Sequence, residues 1–547
     1  GGGLSKNKSQ EIPIPPPLPP HIVNIDLKKQ SFHTDVRKVE EVSEGVEYIY
    51  ADLFTGGDRI QATRKLRHVH RVGLANHFQL GMTVGGSCMA FAMIVWIATL
   101  TPAKNVCPFC LDSLENAIPV YRVIFMPILW MWCWTALCFI WKEFSVNYPF
   151  IMAINPHTEL GYDRCFRLAS YMTLIFLVNF GLFLGAIRTG YQPFGLPFHF
   201  YPMGMLLFGF LALLAPKGTF HFKSRRYFFS TLGRIVIAPF GPEVRFIDNY
   251  IADVLTSLAV FLRDVDYSIQ FYATGAFIDA TKEVELNRVY WVSAPLITAL
   301  PYWFRLQQCI RRFYDAGSGN PQRTAHLLNA GKYATSIAAT CVAALGNYSQ
   351  LNFSEMSEWE WGKVVWFSVL CFGTVYAYIW DITMDWGLVQ RNTGGAWWCP
   401  YRLRDERVYP YKWIYYLAAV LNLMGRLAWA LTITPHSLFT GMPRAVTTTI
   451  IAVMEVLRRA QWSLFRLEYE YTANPFNYRS VKEVPMLLKT EGQTDNENDK
   501  RTRFTFTSII VILLNTLITA LILTVIYWYR NHIDGPSPTP PPSSYSV

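Results

Sequence analysis

Eleven stretches of this chain are apolar for long enough to cross a bilayer, and short polar or basic stretches separate them. A membrane-spanning helix needs about 20 mainly apolar residues. Such stretches lie at 79–102, 119–141, 166–188, 196–215, 246–272, 290–310, 328–347, 364–388, 412–434 and 444–468. The last runs from Phe504 to Tyr529 without one charged residue. Only helices and closed barrels satisfy backbone polar groups in lipid. These runs are too long and continuous for barrel strands. The pattern predicts an all-α fold, a polytopic transmembrane bundle.

The polar stretches divide the rest. Residues 1–50 are polar and rich in proline, above all from Pro13 to Pro20, which predicts a disordered linker without a core. Residue 1 is Gly rather than Met, so we expect a partial or processed chain. Residues 51–78 read as a basic helix leading to the membrane. Residues 79–245 hold the first spans and then a basic, aromatic stretch at 216–245. That stretch predicts an amphipathic segment on the inner membrane face, with a plain cytosolic loop as the alternative. Residues 246–480 form the charge-bearing core. A cytosolic linker (481–503), the final span (504–529) and a disordered Pro- and Ser-rich tail (530–547) follow.

Composition strengthens the membrane reading. Hydrophobic residues make up 52% of the chain and charged ones 16%, against about 25% charged in a soluble domain. The net charge of +10 is explained by basic residues gathering on the cytosolic side, so nucleic acid is not needed as a partner. One set of loops holds Lys217, Lys223, Arg225, Arg226 and Arg234, then Arg311, Arg312 and Arg323, then Arg391, Arg402, Arg404 and Arg407. The alternate loops hold only Lys104, Lys282, Arg288 and Lys363. The N-terminus is therefore expected inside, and eleven spans put the tail outside. Asn347 and Asn352 begin Asn-X-Ser sequons in an outer loop and are candidate glycan acceptors. Cys107 and Cys110 form one CPFC pair, which fits a disulfide, a weak metal site or two free thiols.

The candidate chemistry lies in charges inside the spans. These are Asp253, Arg263, Asp264, Asp266, Arg305, Asp381, Asp385, Arg426, Glu455, Arg458 and Arg459, with Lys332 at the start of another span. Each costs about 2.5–3.5 kcal/mol at a helix centre, so the group needs partners, water or a function. Asp381 and Asp385 are i,i+4, and Arg426 and Trp429 are i,i+3. Glu455, Arg458, Arg459 and Trp462 fit one broad face. Asp253 and Asp264, eleven apart, align over about three turns. Arg263, Asp264 and Asp266 sit where they can face cytosol or headgroups. One reading of the whole set is a salt-bridge network that only holds helices together. The other is a solute path, in which Arg305, Lys332, Arg426, Arg458 and Arg459 favour an anion such as phosphate. No GxxxxGK, HExxH or GxSxG motif is present, and no enzyme activity, cofactor or metal is expected.

Motifs in order carry a family resemblance. They are GGDRIQATRKLR at 56–67, VNYPFIMAINP at 146–156, KSRRYF at 223–228, ADVLTSL at 252–258 and WFRLQQCIRR at 303–312. HLLNAGKY at 326–333, YIWDITMDWGL at 378–388, RLAW at 426–429 and EVLRRAQWSLFRLEYE at 455–470 follow. The chain resembles the EXS-domain family, which includes the xenotropic and polytropic retrovirus receptor, plant phosphate exporters and yeast Syg- and Erd-type proteins. It most resembles the animal retrovirus-receptor exporters. The resemblance implies about ten family-core spans, with the span at 504–529 as an extra one. It implies export of inorganic phosphate along a path lined by Asp253, Arg305, Lys332, Tyr333, Asp381, Asp385, Arg426, Arg458 and Arg459. Only the resemblance supplies Tyr333. It also implies an aromatic gate at Trp429 with Glu455 beside it.

Location is implied at the plasma membrane, with the Golgi membrane as the alternative. There, a Golgi-type relative would recycle lumenal phosphate and aid glycosyltransferase retention. A receptor or scaffold with structural internal charges is the third reading. Membrane lipids and a homodimer are implied partners. Inositol pyrophosphate joins them only if an SPX domain precedes residue 1. One departure is Val254, where the family often has Gln after the Asp.

Overall fold

Apolar stretches become helices, and the polar groups inside them decide where those helices bend or stop. The computed structural model describes residues 74–99, 110–144, 146–154, 159–190, 192, 195–216, 221–278, 283–320 and 322–346. It further describes 361–391, 401–409, 411–430 and 444–475, and, from residues 45–53, all but 47 and 51. The CPFC residue Cys107, both sequons and the span at 504–529 lie outside the described residues. So do residues 1–44.

In chain order the longer helices are α1 (Leu74–Thr99), α2 (Cys110–Glu143), α3 (Tyr162–Thr189) and α4 (Phe200–Leu214), with a single short turn of helix at Tyr148–Ile151 between α2 and α3. Then come α5 (Phe222–Val236), α6 (Phe246–Ser257), α7 (Ala259–Thr274), α8 (Glu283–Asp315) and α9 (Gln322–Gly346). Finally come α10 (Trp361–Trp380), α11 (Lys412–Arg426) and α12 (Arg444–Ala473). The protein is an all-α membrane protein. Its described sheet is one antiparallel hairpin, Val389–Arg391 with Tyr401–Leu403, in which Gln390 faces Arg402.

Among the described residues, four stretches are long and apolar enough to cross a membrane by length and composition: Gln79–Ala98, Leu114–Glu143, Tyr162–Thr189 and Trp361–Asp385. Helices α8, α9 and α12 have 33, 25 and 30 residues, enough for 30 Å or more at 1.5 Å per residue. Their interior charges lower their hydropathy. Helix α5 carries Lys223, Arg225, Arg226 and Arg234 with Phe228 and Phe229 exposed, as an amphipathic segment should.

The predicted continuous helix at 246–272 is in fact two. The Thr256 hydroxyl donates to the Asp253 carbonyl at 2.7 Å, and the Leu258 N–H donates to the Leu255 carbonyl in a tighter turn. A side-chain bond back to the preceding turn bends a helix, and no Gly or Pro marks the spot. Asp253 and Asp264 therefore do not share one helix face. Asp264 also does not face cytosol or headgroups. It is buried and takes both Nε (2.5 Å) and Nη2 (2.7 Å) of Arg122 on α2. Arg122 further donates to the Ala445 carbonyl and Thr449 hydroxyl of α12, so one pair ties three helices.

Helix α11 stops at Arg426, and turns follow from Leu427 to Trp429. Helix α10 ends in a π-helical turn, Asp381–Asp385, closed by Trp386 N–H donating to the Asp381 carbonyl at 2.8 Å. A packed aromatic core joins these ends, with Trp141, Tyr250, Trp386, Tyr415, Trp462 and Phe465 all buried. Val254, the family departure, lies in that core.

Past the π turn the chain reverses at Gly387, with φ +54°, where an added Cβ would run into the Tyr469 ring. Gly387→Ala meets both the left-handed penalty of about 1–2 kcal/mol and that collision. The purified variant is expected to unfold at a clearly lower temperature. A midpoint equal to wild type would contradict this account.

Candidate functional site

The first cluster joins α6, α8 and α9. Asp253 is buried on α6 and accepts from Arg305 Nε at 2.8 Å and from the Tyr333 hydroxyl at 2.5 Å. Arg305 Nε also donates to the Tyr333 hydroxyl at 3.1 Å. The far side of its guanidinium donates to Asn249 and, at 2.6 Å, to Gln308. Gln308 in turn donates to the Asp248 carbonyl. Nε and Nη1 of this buried ion are both engaged, as a paired charge in an apolar setting requires.

The second cluster joins the π turn, α11 and α12. Asp381 Oδ2 accepts from Arg426 Nε (2.8 Å) and Nη2 (2.5 Å) and from Asn422 Nδ2 (2.9 Å). Arg458 Nη1 lies 3.7 Å from the same oxygen and donates to Asn422 Oδ1 at 3.0 Å. Arg458 also grips Glu455 with two bonds, Nε at 2.7 Å and Nη2 at 2.6 Å. Asp385, though i,i+4 from Asp381, goes elsewhere. The wider π turn separates them, and Asp385 accepts from Trp462 Nε1 at 3.2 Å.

A hydroxyl bridge links the clusters. Ser257 donates to Glu455 Oε1 at 2.5 Å and accepts from Arg459 Nε at 2.7 Å. Arg459 Nη2 donates to Thr256 at 3.1 Å, and its guanidinium lies 4.6 Å from the Trp462 ring centre. The break at Leu258 thus turns two hydroxyls toward α12.

Within these clusters two cations differ from the rest. Arg459 has no carboxylate within ion-pair distance among the described residues. Lys332 is buried, and its ammonium makes neither a hydrogen bond nor an ion pair among the described residues. Its ammonium sits over the Tyr333 ring at 4.5 Å and the Trp380 ring at 5.4 Å. Asp385, Asp253 and Asp381 act on it only through space.

Trp429 is half-buried. Its Nε1 donates to Thr374 of α10 at 3.1 Å, and its ring meets Phe367 edge-on. Thr374 and Asp381 are seven residues apart, two turns, so Trp429 and Arg426 both engage one face of α10. Beyond the predicted span in α9, His326 is held down to about 4 by burial, with the neighbouring Arg312 adding to it. It is therefore neutral at pH 7.

The structure thus brings Asp253, Arg305, Lys332, Tyr333, Asp381, Asp385, Arg426, Glu455, Arg458 and Arg459 into adjoining clusters, with Trp429 on the neighbouring face of α10, and leaves Arg263, Asp264 and Asp266 outside them. It adds Asn249, Thr256, Ser257, Gln308 and Asn422, as well as Tyr302, which lies within electrostatic reach of Glu455, Arg459, Arg458 and Arg426. Charge patterning could not find these, since neutral polar residues are common in any span. Arg122 did leave a signal, a lone charge in an apolar run. Among the described residues no group of His, Cys, Asp and Glu could hold a metal ion.

Comparison with known proteins agrees with the motifs. Residues 117–472 match the EXS family. The chain is 31% identical over 477 residues to solute carrier family 53 member 1 of Homo sapiens, covering 84% of this chain and 65% of that protein. It is 30% identical over 482 residues to phosphate transporter PHO1 homolog 1 of Arabidopsis thaliana, covering 86% and 58%. It is 29% identical over 459 residues to SPX and EXS domain-containing protein 1 of Dictyostelium discoideum, covering 83% and 48%. The chain spans between about half and two thirds of the length of these relatives.

Proposed function

The chain belongs to the EXS family, and from that premise we propose that it carries inorganic phosphate across its membrane between α6, α8, α9, α10, α11 and α12. Relatives named as phosphate transporters support the substrate. The observation that carries the reading is that two buried cations of the clusters, Lys332 and Arg459, have no carboxylate partner, whereas Arg305, Arg426 and Arg458 each have one. A purely structural network would pair them, because an unpaired buried charge is costly. Phosphate brings oxygens to both, and the arginine fork suits it. Asp253, Asp381, Asp385 and Glu455 keep the surroundings from binding it too tightly for passage.

This is transport rather than catalysis, at the plasma membrane. A tag on the full-length protein in cells separates that location from the Golgi. The direct test is phosphate efflux from proteoliposomes holding the purified chain. Flux no greater than in protein-free vesicles would end the proposal. The receptor or scaffold reading has one observation in its favour, the hydrogen bonding of all three guanidinium nitrogens of Arg458. It predicts normal folding and no flux.

In this reading Trp429 is the gate, latched to α10 by its indole N–H on Thr374. Thr374→Val removes the latch and keeps side-chain size. Phosphate flux per molecule is expected to change several-fold, with expression held near wild type. If Thr374→Val and Trp429→Ala both leave flux per molecule unchanged, Trp429 is a packing residue.

A further inference from the structure

Arg263 on α7 is the intramembrane charge that the clusters above do not use. The two carboxylates beside it in sequence are taken. Both oxygens of Asp264 hold Arg122. Asp266 Oδ1 accepts from Gln270 Nε2 at 2.8 Å, and its Oδ2 accepts from the Ser293 hydroxyl of α8 at 2.6 Å. Arg263 makes no hydrogen bond or ion pair among the described residues, and its Nε is buried without an acceptor. An arginine donor withdrawn from water and left unmatched costs free energy unless something else fills it.

A second unmatched atom lies on the same face. Arg263, Asp266 and Gln270 stand three and four residues apart in turn, which aligns them along one side of α7. Gln270 leans back on Asp266, and its Oε1 is buried without a donor. That side faces α8. Ser293 closes on Asp266, Tyr290 packs edge-on to Tyr267 at 5.5 Å, and Arg263 acts on Tyr290 through space. The face between α7 and α8 therefore holds an orphan cationic donor and an orphan acceptor, beside aromatic rings and a hydroxyl.

We propose that Arg263 holds a phosphate group at this face between α7 and α8, at a station separate from the Lys332 and Arg459 cluster. The inference rests on the phosphate-transport reading for its role and on the two orphan atoms for its chemistry. A phosphate oxygen accepts from the Arg263 fork. Protonated inorganic phosphate also has an O–H to give Gln270 Oε1, whereas a lipid phosphodiester has none, so free phosphate is the better match. Asp266, neutralised only by hydrogen bonds, weakens the hold, as a station on a conducting path requires.

The test uses the purified full chain, wild type and Arg263→Gln, which keeps a polar side chain but loses the charge. Three quantities are read: binding of radiolabelled orthophosphate in detergent, phospholipid retained through purification, and phosphate flux in proteoliposomes. Arg263→Gln is expected to lose one saturable class of phosphate sites and to lower flux about tenfold, the worth of one charge-assisted contact. Loss of retained phospholipid, with orthophosphate binding unchanged, assigns the held phosphate group to a lipid. Equal binding, lipid and flux in the two proteins overturns the station. Should wild type itself neither bind nor move orthophosphate, the transport reading fails. The lipid measurement then decides the station alone, for or against.

Discussion

Replacing Asp381 with alanine is expected to cost the protein most of its folded yield. One buried carboxylate oxygen accepts three hydrogen bonds, two from Arg426 and one from Asn422, and stands 3.7 Å from Arg458. Removing it strands at least one guanidinium in an apolar bundle, a change worth about 3–5 kcal/mol. Helices α10, α11 and α12 meet at this oxygen, so their packing should loosen together. Size-exclusion of the detergent-extracted variant should show aggregate in place of the monodisperse wild-type peak. Asp381→Asn keeps an acceptor for Arg426 and should recover part of the yield. An Asp381→Ala protein as abundant and heat-resistant as wild type would show that the pair contributes little.

Arg459→Gln should have the opposite signature, intact folding with lost transport. No carboxylate pairs directly with Arg459 among the described residues. Its guanidinium is held by the hydroxyls of Ser257 and Thr256 and by the Trp462 ring. A glutamine can satisfy a hydroxyl, so no charge is orphaned. What disappears is one of two cations free to meet phosphate. Charge-assisted bonds are worth about 1.5–3 kcal/mol each, so flux should fall about tenfold to a hundredfold. The measurement is phosphate efflux per folded molecule at matched reconstitution. Arg305→Gln is the contrast, because it leaves Asp253 unpaired and should behave like Asp381→Ala. If Arg459→Gln transports at the wild-type rate, the unpaired cations are not the phosphate ligands.

Much of this site was legible before any coordinates. A charge in an apolar run is rare enough to be noticed, which is how Asp253, Arg305, Asp381, Arg426, Arg458 and Arg459 stood out. Helical spacing was sound where the helix continued: Glu455, Arg458, Arg459 and Trp462 do share one face of α12. It failed where hydrogen bonding interrupted the helix. Asp253 and Asp264 diverge across the bend at Leu258. Asp381 and Asp385 part across a π turn, which sets i+5 bonding where i+4 was assumed. Neither break has a sequence marker, because Thr256 and Asp381 are unremarkable in a helix until their partners arrive.

The sequence by itself determined the class of molecule and the inventory of charges. Both are local properties: the length of an apolar run, and the identity of a residue within it. Tertiary structure alone decided which charges cancel. Asp264 went to Arg122, 142 positions earlier, and Asp253 to Arg305, while Lys332 and Arg459 were left over. Pairing depends on distances between helices far apart in the chain, and in a low-dielectric bundle a few ångströms separate a neutralised ion from a free one. The chain lists its charged residues, but the approach of six helices leaves Lys332 and Arg459 without carboxylate partners.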